Sequence, residues 1–334
     1  MVNRATVALV GSESLLGREV RDVAATGDPG FTLRLIAAAD YETGRLTRQG
    51  DEPAIVEELT AESFDGARAI ILAGAAESSR KALELSGDTP VIDLTSAAED
   101  RSDARLRAPL VEDENESEEG AGTVHVIAHP AAIALALFLR RLHANDPIVR
   151  AVVQVMAPAS ECGEAGVEEL QQQTVNLLSF KSLPKAVFDA QIGFNLLARY
   201  GEEAPVSLEE TELRIERHLA TLLSLPGEGE GAPMASVRVV QAPVFHGYSI
   251  SAWVEFESCP GVDSLEQTLF TGQIEVRGKE VEPPTNVGSA GQSGIAVGAI
   301  EPDRNNAEAC WFWLVADNVR LAADNAVAVA RQLV

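Results

Sequence analysis

Over the first third of the chain, short continuous apolar runs alternate with stretches of helical spacing. Thr6 to Val10 is a run rich in β-formers that ends in a glycine turn, and Leu15, Leu16, Val20 and Val23 then recur at the period of a helix. Phe31 to Ala38, Ala69 to Ala73 and Pro90 to Leu94 read as further strands, with Ser78 to Leu85 helical before the last of them. Strands and helices in this alternation predict a doubly wound, mostly parallel sheet, because parallel neighbours need crossover connections. A fifth run, Thr123 to Ile127, leads into His129-Pro130 and a helix over Ala131 to His143.

After Pro147 the texture changes. Val149 to Met156, Val237 to Val240, Tyr248 to Phe256 and Gln273 to Val276 read as strands with partial alternation, mixed with helices over Gly166 to Leu178 and Leu208 to Leu223. This predicts an α+β domain with a mainly antiparallel sheet. Trp311 and Trp313 alternate on a strand and read as core or interface. Apolar positions from Val319 to Ala330 predict a buried C-terminal helix, from Asp317 to Leu333, that returns to the first domain. The expected division is 1–128 with 306–334 as an α/β, Rossmann-like unit, and 129–305 as a second domain.

At 334 residues and 46% hydrophobic, the chain can bury two cores. Its charge of -25, from 51 acidic and 26 basic side chains, repels phosphate backbones and anionic lipid alike, which argues against nucleic acid or membrane partners. Cys162, Cys259 and Cys310 lie far apart without a CxxC pair, against a disulfide framework or a zinc site, and no His or Cys pair has metal-ligand spacing. The first apolar run is too short for a signal peptide or a span, so a cytoplasmic location is expected. The acidic run Glu112 to Glu119, closed by Gly120-Ala121-Gly122, reads as a solvated loop.

A nucleotide-binding turn brings backbone amides and a helix N-terminus to a pyrophosphate. Here the turn is Gly11-Ser12-Glu13-Ser14-Leu15-Leu16-Gly17. Gly11 and Gly17 sit where such a turn needs them, but Ser14 replaces the middle glycine and Glu13 brings a carboxylate toward the phosphate position. Like charges about 4 Å apart at an effective dielectric of about 20 repel by about 4 kcal/mol, a loss of roughly a thousandfold in affinity unless Glu13 swings out. The other reading gives both glycines to turn geometry and helix packing alone. Asp40 stands where a Rossmann acid would hold a ribose hydroxyl, favouring NAD over NADP, or is one of an ordinary charged group with Glu42 and Arg45.

VALVGxxxxLGREV, LRLIAAA, VEELTAESFDG, LAGAAESS, VIDLTSA, VIAHPAA, GVEELQQQT, GFNLL, APVFHGYS and VADNVRLAADNAVAVA follow one another through the whole chain. In that order they resemble the aspartate-semialdehyde dehydrogenases, and among them the Usg-type proteins. The resemblance implies an NADP domain built from both chain ends, with Gly74 and Asn318 beside the glycine turn, an inserted catalytic and dimerisation domain, and a homodimer. It implies a reaction in which a cysteine forms a thioester with the aspartyl carbonyl, hydride goes to NADP and phosphate takes the acyl group. The chain departs from that pattern at the chemistry. The N-P-N-C-[ST] position reads His129-Pro130-Ala131-Ala132-Ile133, so Ala132 replaces the nucleophile. In R-x-P-V-x-x-G-H-S the arginine is Gln241 and the basic histidine is Tyr248. Asp40-Tyr41 stands for the pair that reads the NADP 2′-phosphate, and Glu99 for a phosphate-reading arginine.

Two residues offer a relocated chemistry. His246 lies two positions from Tyr248, on one face if both are on a strand. Cys162 falls where the family has Q-A-V-S-G-A-G, although Glu161 and Glu164 would raise its pKa. The plainer readings are a packed cysteine and a strand histidine, with His129 a turn residue. The expectation is a catalytically degenerate dimer acting as a scaffold, regulator or ligand sensor. The alternative is an NAD(P)-dependent oxidoreductase acting on an aldehyde such as aspartate semialdehyde.

Overall fold

A computed structural model describes residues 4–50, 52–112 and 123–334. The chain divides into two units, 1–128 with 322–334 and 129–321. In the first unit the elements are β1 (Ala5–Val10), α1 (Leu15–Ala25), β2 (Phe31–Ile36), the hairpin β3 (Leu46–Gln49) and β4 (Glu52–Ile55), β5 (Ala67–Leu72), α2 (Ala76–Leu85), β6 (Val91–Asp93), β7 (Ala104–Arg107) and β8 (Val124–Ile127). The main sheet has the order β2-β1-β5-β6-β8-β7, and every adjacent pair is parallel. Its central strands are buried along their length, which is why Val7 to Val10 and Ala69 to Leu72 are unbroken apolar runs. β7 and the hairpin lie in sequence without a comparable apolar run, so no apolar pattern marks them.

The second unit carries α3 (Pro130–His143), β9 (Ile148–Ala157), α4 (Gly163–Leu178), α5 (Leu208–Leu223), β10 (Ser236–Gln241), β11 (Tyr248–Phe256), α6 (Val262–Leu269), β12 (Ile274–Arg277), β13 (Ile295–Pro302), β14 (Ala309–Ala316) and the start of α7 (Asn318–Leu333). Its sheet, β10-β9-β11-β14-β13-β12, is mixed: the three inner pairs are antiparallel, and the outer pairs β10·β9 and β12·β13 are parallel. Phe312 of β14 meets Phe138 of α3 edge to face at 5.0 Å, which marks the helix-covered side of the sheet. Trp311 points the other way and is 45% exposed.

Two expectations change here. β14 belongs to the second sheet, because Tyr248↔Ala316 and Val254↔Cys310 are ladder partners, so the chain rejoins the first unit at 322 and not at 306. Most of the acidic run lies outside the described residues. Its first member, Glu112, is no solvated loop residue: it pairs with buried Arg107 at 2.8 Å and accepts from the Ala108 amide at 2.6 Å. Among the described residues no helix is long and apolar enough to cross a membrane.

Candidate functional site

The glycine turn follows β1 as read. Gly11 has φ +80°, and a Cβ there would lie 2.4 Å from Gly74 Cα; a Cβ on Gly17 would lie 2.0 Å from Gly11 O. Gly11 and Gly17 are therefore required by backbone packing, whatever the turn binds, and a Cβ on Gly74 would meet Ser78 Oγ at 2.6 Å and Ala38 Cβ at 2.9 Å. Ser14 is the N-cap of α1, accepting from Gly17 N at 2.9 Å and donating to Ala73 O at 2.6 Å. Its side chain has taken up the work of holding β1, β5 and α1 together.

Glu13 does not project from the turn. It is buried against Arg21, 2.6 Å away, with Arg45 at 3.9 Å. Arg21 is fixed in turn by Ser12 O, Thr47 Oγ1 and Arg48 O. The full repulsion expected of Glu13 therefore does not arise, because its charge is compensated locally. Asp40 is exposed beside Tyr41, while Glu42 is buried and accepts from the Ala38 and Ala39 amides at the end of β2. Glu42 is thus not part of a charged surface loop with the exposed Asp40 and Arg45. Ser12 Oγ is buried without a hydrogen-bond partner among the described residues.

In the second unit, two of the positions that depart from the family pattern, His129 and Tyr248, meet at Glu161. His129 is the N-cap of α3, its Nδ1 accepting from Ala131 N at 3.2 Å. Its Nε2 lies 2.8 Å from Glu161 Oε1 and donates to that carboxylate. Tyr248 donates its hydroxyl to Glu161 Oε2. Burial acts to raise the Glu161 pKa, but the charge and hydrogen bond of His129 and the Tyr248 hydroxyl hold it below the ordinary carboxylate value. The same burial and the Glu161 charge push the Tyr248 phenol well above 10. Ala132, in the first turn of α3, is fully buried.

A second chain of contacts adjoins Glu161. Cys162 Sγ lies 3.9 Å from Tyr200 Oη, which donates to Gln241 Oε1 at 2.7 Å; Gln241 Nε2 donates to Ala157 O and Ala242 O. Burial, then Glu161, pushes the Cys162 thiol up to about 12; Glu169 contributes further, where sequence proximity had pointed to Glu164. Asn318 accepts from Ser160 Oγ at 3.1 Å and Gly247 N at 3.0 Å, fixing the same turn. His246 is outside this network. The strand begins only at Tyr248, and Gly247 at φ +81° turns the chain, so a spacing of two does not place both side chains on one face.

Sequence reasoning named Glu161 only as a neighbour of Cys162 and passed over Tyr200. The GVEELQQQT run carries two of the residues that position Tyr200, although no spacing in it marks that use. Glu169 accepts from the Val187 and Phe188 amides, and Gln173 bonds Pro184 O, Ala190 O, Ile192 N and Gly193 N. These two buried polar side chains order the loop that ends at Tyr200, whose ring packs on Phe188 at 5.3 Å. Among the described residues no group of three or more His, Cys, Asp or Glu is placed to hold a metal.

Comparison with known proteins places this geometry among relatives. A family described as "Semialdehyde dehydrogenase, dimerisation domain" matches residues 139–321. A USG-1 protein homolog of Pseudomonas aeruginosa is 30% identical over 98% of this chain and 97% of its own length. An aspartate-semialdehyde dehydrogenase of Aquifex aeolicus is also 30% identical, over 98% and 97%. The solved structure of a probable aspartate-semialdehyde dehydrogenase from Pseudomonas aeruginosa superposes with a TM-score of 0.86 at 28% identity, covering 99% of this chain and 98% of that one.

Proposed function

This chain belongs to the semialdehyde dehydrogenase family, and from that premise we propose that it has left the family's thioester chemistry and serves as a cytoplasmic dimeric scaffold, regulator or sensor of a small-molecule ligand. One observation carries the reading: Glu161 is clamped between His129 and Tyr248, and Ala132, three positions after His129, is a fully buried methyl. A methyl group cannot attack a carbonyl. A phenol pushed above its ordinary value and bonded to a carboxylate is no general base at neutral pH. Cys162, with its thiol near 12, holds almost no thiolate there. The buried Glu161 anion also opposes phosphate and an aspartyl substrate.

The residues present do not fit NADP. By the resemblance Asp40 and Tyr41 stand at its 2′-phosphate position, and the cations near the turn are engaged by Glu13: Arg21 and Arg45 face its carboxylate and Arg18 donates to its carbonyl. A second reading, an NAD(P)-dependent oxidoreductase acting on an aldehyde, draws support from the compensated charge of Glu13, and within it NAD is preferred.

Purified protein is expected to show no phosphate-dependent oxidation of aspartate semialdehyde with either nucleotide. Turnover that Cys162→Ser abolishes would overturn the proposal and move the chemistry to Cys162. Turnover that survives that change points to a hydride mechanism without a thioester.

A further inference from the structure

The cysteines are scattered in sequence, yet two of them meet. Cys259 Sγ lies 3.5 Å from Cys310 Sγ, 51 positions away, and both are free thiols. The meeting is built by the β11–β14 pair. Phe256, the last residue of β11, donates its amide to Glu308 O at 2.9 Å. The Glu308 carboxylate turns back to accept from Cys259 N at 2.7 Å, which fixes Cys259, past the end of β11, beside the residue that leads into β14. Cys310 sits in the ladder itself, paired with Val254 and Pro302. One thiol is half-buried and the other fully buried on the helix-covered side of the sheet, opposite in direction to Trp311.

We propose that Cys259 and Cys310 form a dithiol modification site, oxidised to an intramolecular disulfide by a low-molecular-weight disulfide of the glutathione type. The half-buried Cys259 sulfur attacks one sulfur of the oxidant, the S–S bond breaks, and one equivalent of reduced thiol leaves with the Cys259 proton. Cys310 then attacks Cys259 Sγ, and the second thiol leaves with the Cys310 proton. The protein loses two hydrogens and two electrons, and the oxidant becomes two thiols. Burial, with the adjoining Cys259, pushes the Cys310 thiol up to about 12, which assigns the first attack to Cys259 and leaves Cys310 to act second, at contact distance. The bond ties the 257–261 connection, and with it the start of α6, to β14. The site is independent of the Glu161 network, since Tyr248 opens β11 while Val254, the partner of Cys310, lies near its far end at Phe256.

The test treats reduced full-length protein with excess glutathione disulfide, alkylates the remaining thiols, and reads intact mass and peptide maps. Expected are a wild-type protein two hydrogens lighter than its reduced form before alkylation, a Cys259–Cys310 linked peptide that takes up no alkyl group, and full return on reduction. Cys310→Ala should stop at one glutathione on Cys259, Cys259→Ala should carry none at Cys310, and Cys162→Ala should behave as wild type. Three alkylated cysteines in treated wild type, a stable glutathione adduct on Cys259, or a link through Cys162 would each overturn the proposal. The wild-type map decides it even if Cys310→Ala does not fold.

Discussion

Glu161 illustrates how one carboxylate changes the meaning of its neighbours. With two donors on its oxygens it is a satisfied buried anion, and removal of either leaves it partly unpaired. Tyr248→Phe is therefore expected to cost about 1–3 kcal/mol in chemical denaturation, with no turnover gained in a dehydrogenase assay. Ala132→Cys with Tyr248→His should restore little turnover in a dehydrogenase assay, because Gln241, Glu99 and the Glu161 charge still oppose substrate and phosphate. In the first unit, His125 is buried near Arg107, and burial, then the Arg107 charge, lower its pKa from 6.5 to about 4. The folded protein keeps this imidazole neutral while the unfolded chain takes up a proton. Stability from this source is complete above about pH 6.5 and declines as pH falls toward 4. Melting curves over that range should show the decline, and His125→Gln should flatten it. The contribution of Glu161, whose pKa is held low, is lost only at lower pH, as the pH falls from its ordinary carboxylate value through the folded one.

At the scale of elements, the β1–α1 turn separates packing from ligand binding. Gly17→Ala places a methyl against Gly11 O and should destabilise by about 1–3 kcal/mol through overpacking, without reference to any nucleotide. Nucleotide binding is read separately, by calorimetry of the wild type. NADP is expected to bind weakly or not at all, with any residual binding in favour of NAD because of Asp40; micromolar NADP affinity would count against the assignment of Asp40 and Tyr41. The amphipathic α4 was legible from its spacing, but the use of Glu169 and Gln173 was not. Their partners are backbone groups more than ten positions on, and no periodicity encodes a loop folded back on a helix.

For the whole molecule, the outer face of the second sheet is the surface expected to pair. Val152, Trp253 and Trp311 lie side by side across three strands, with Val152 51% exposed. A row of aromatic and branched side chains left open to water suits an isologous contact between two copies. Sedimentation should find a dimer at micromolar concentration, and Trp311→Glu should shift it to monomer; a monomeric wild type would remove the dimer from the proposal.

The sequence by itself determined the order of elements and the parallel sheet, because burial on both faces and helical periodicity are written in local spacing, and its resemblance to the family's motifs singled out Ala132, Tyr248 and Gln241. Only the tertiary structure decided what those positions do. Glu13 became half of an ion pair with a residue one helix face away. Glu161 became the partner of two side chains from β11 and the start of α3, and Cys259 and Cys310 became neighbours through a strand pairing. Charge compensation, buried hydrogen bonding and thiol proximity depend on distances between residues far apart in sequence, and those distances are set by packing.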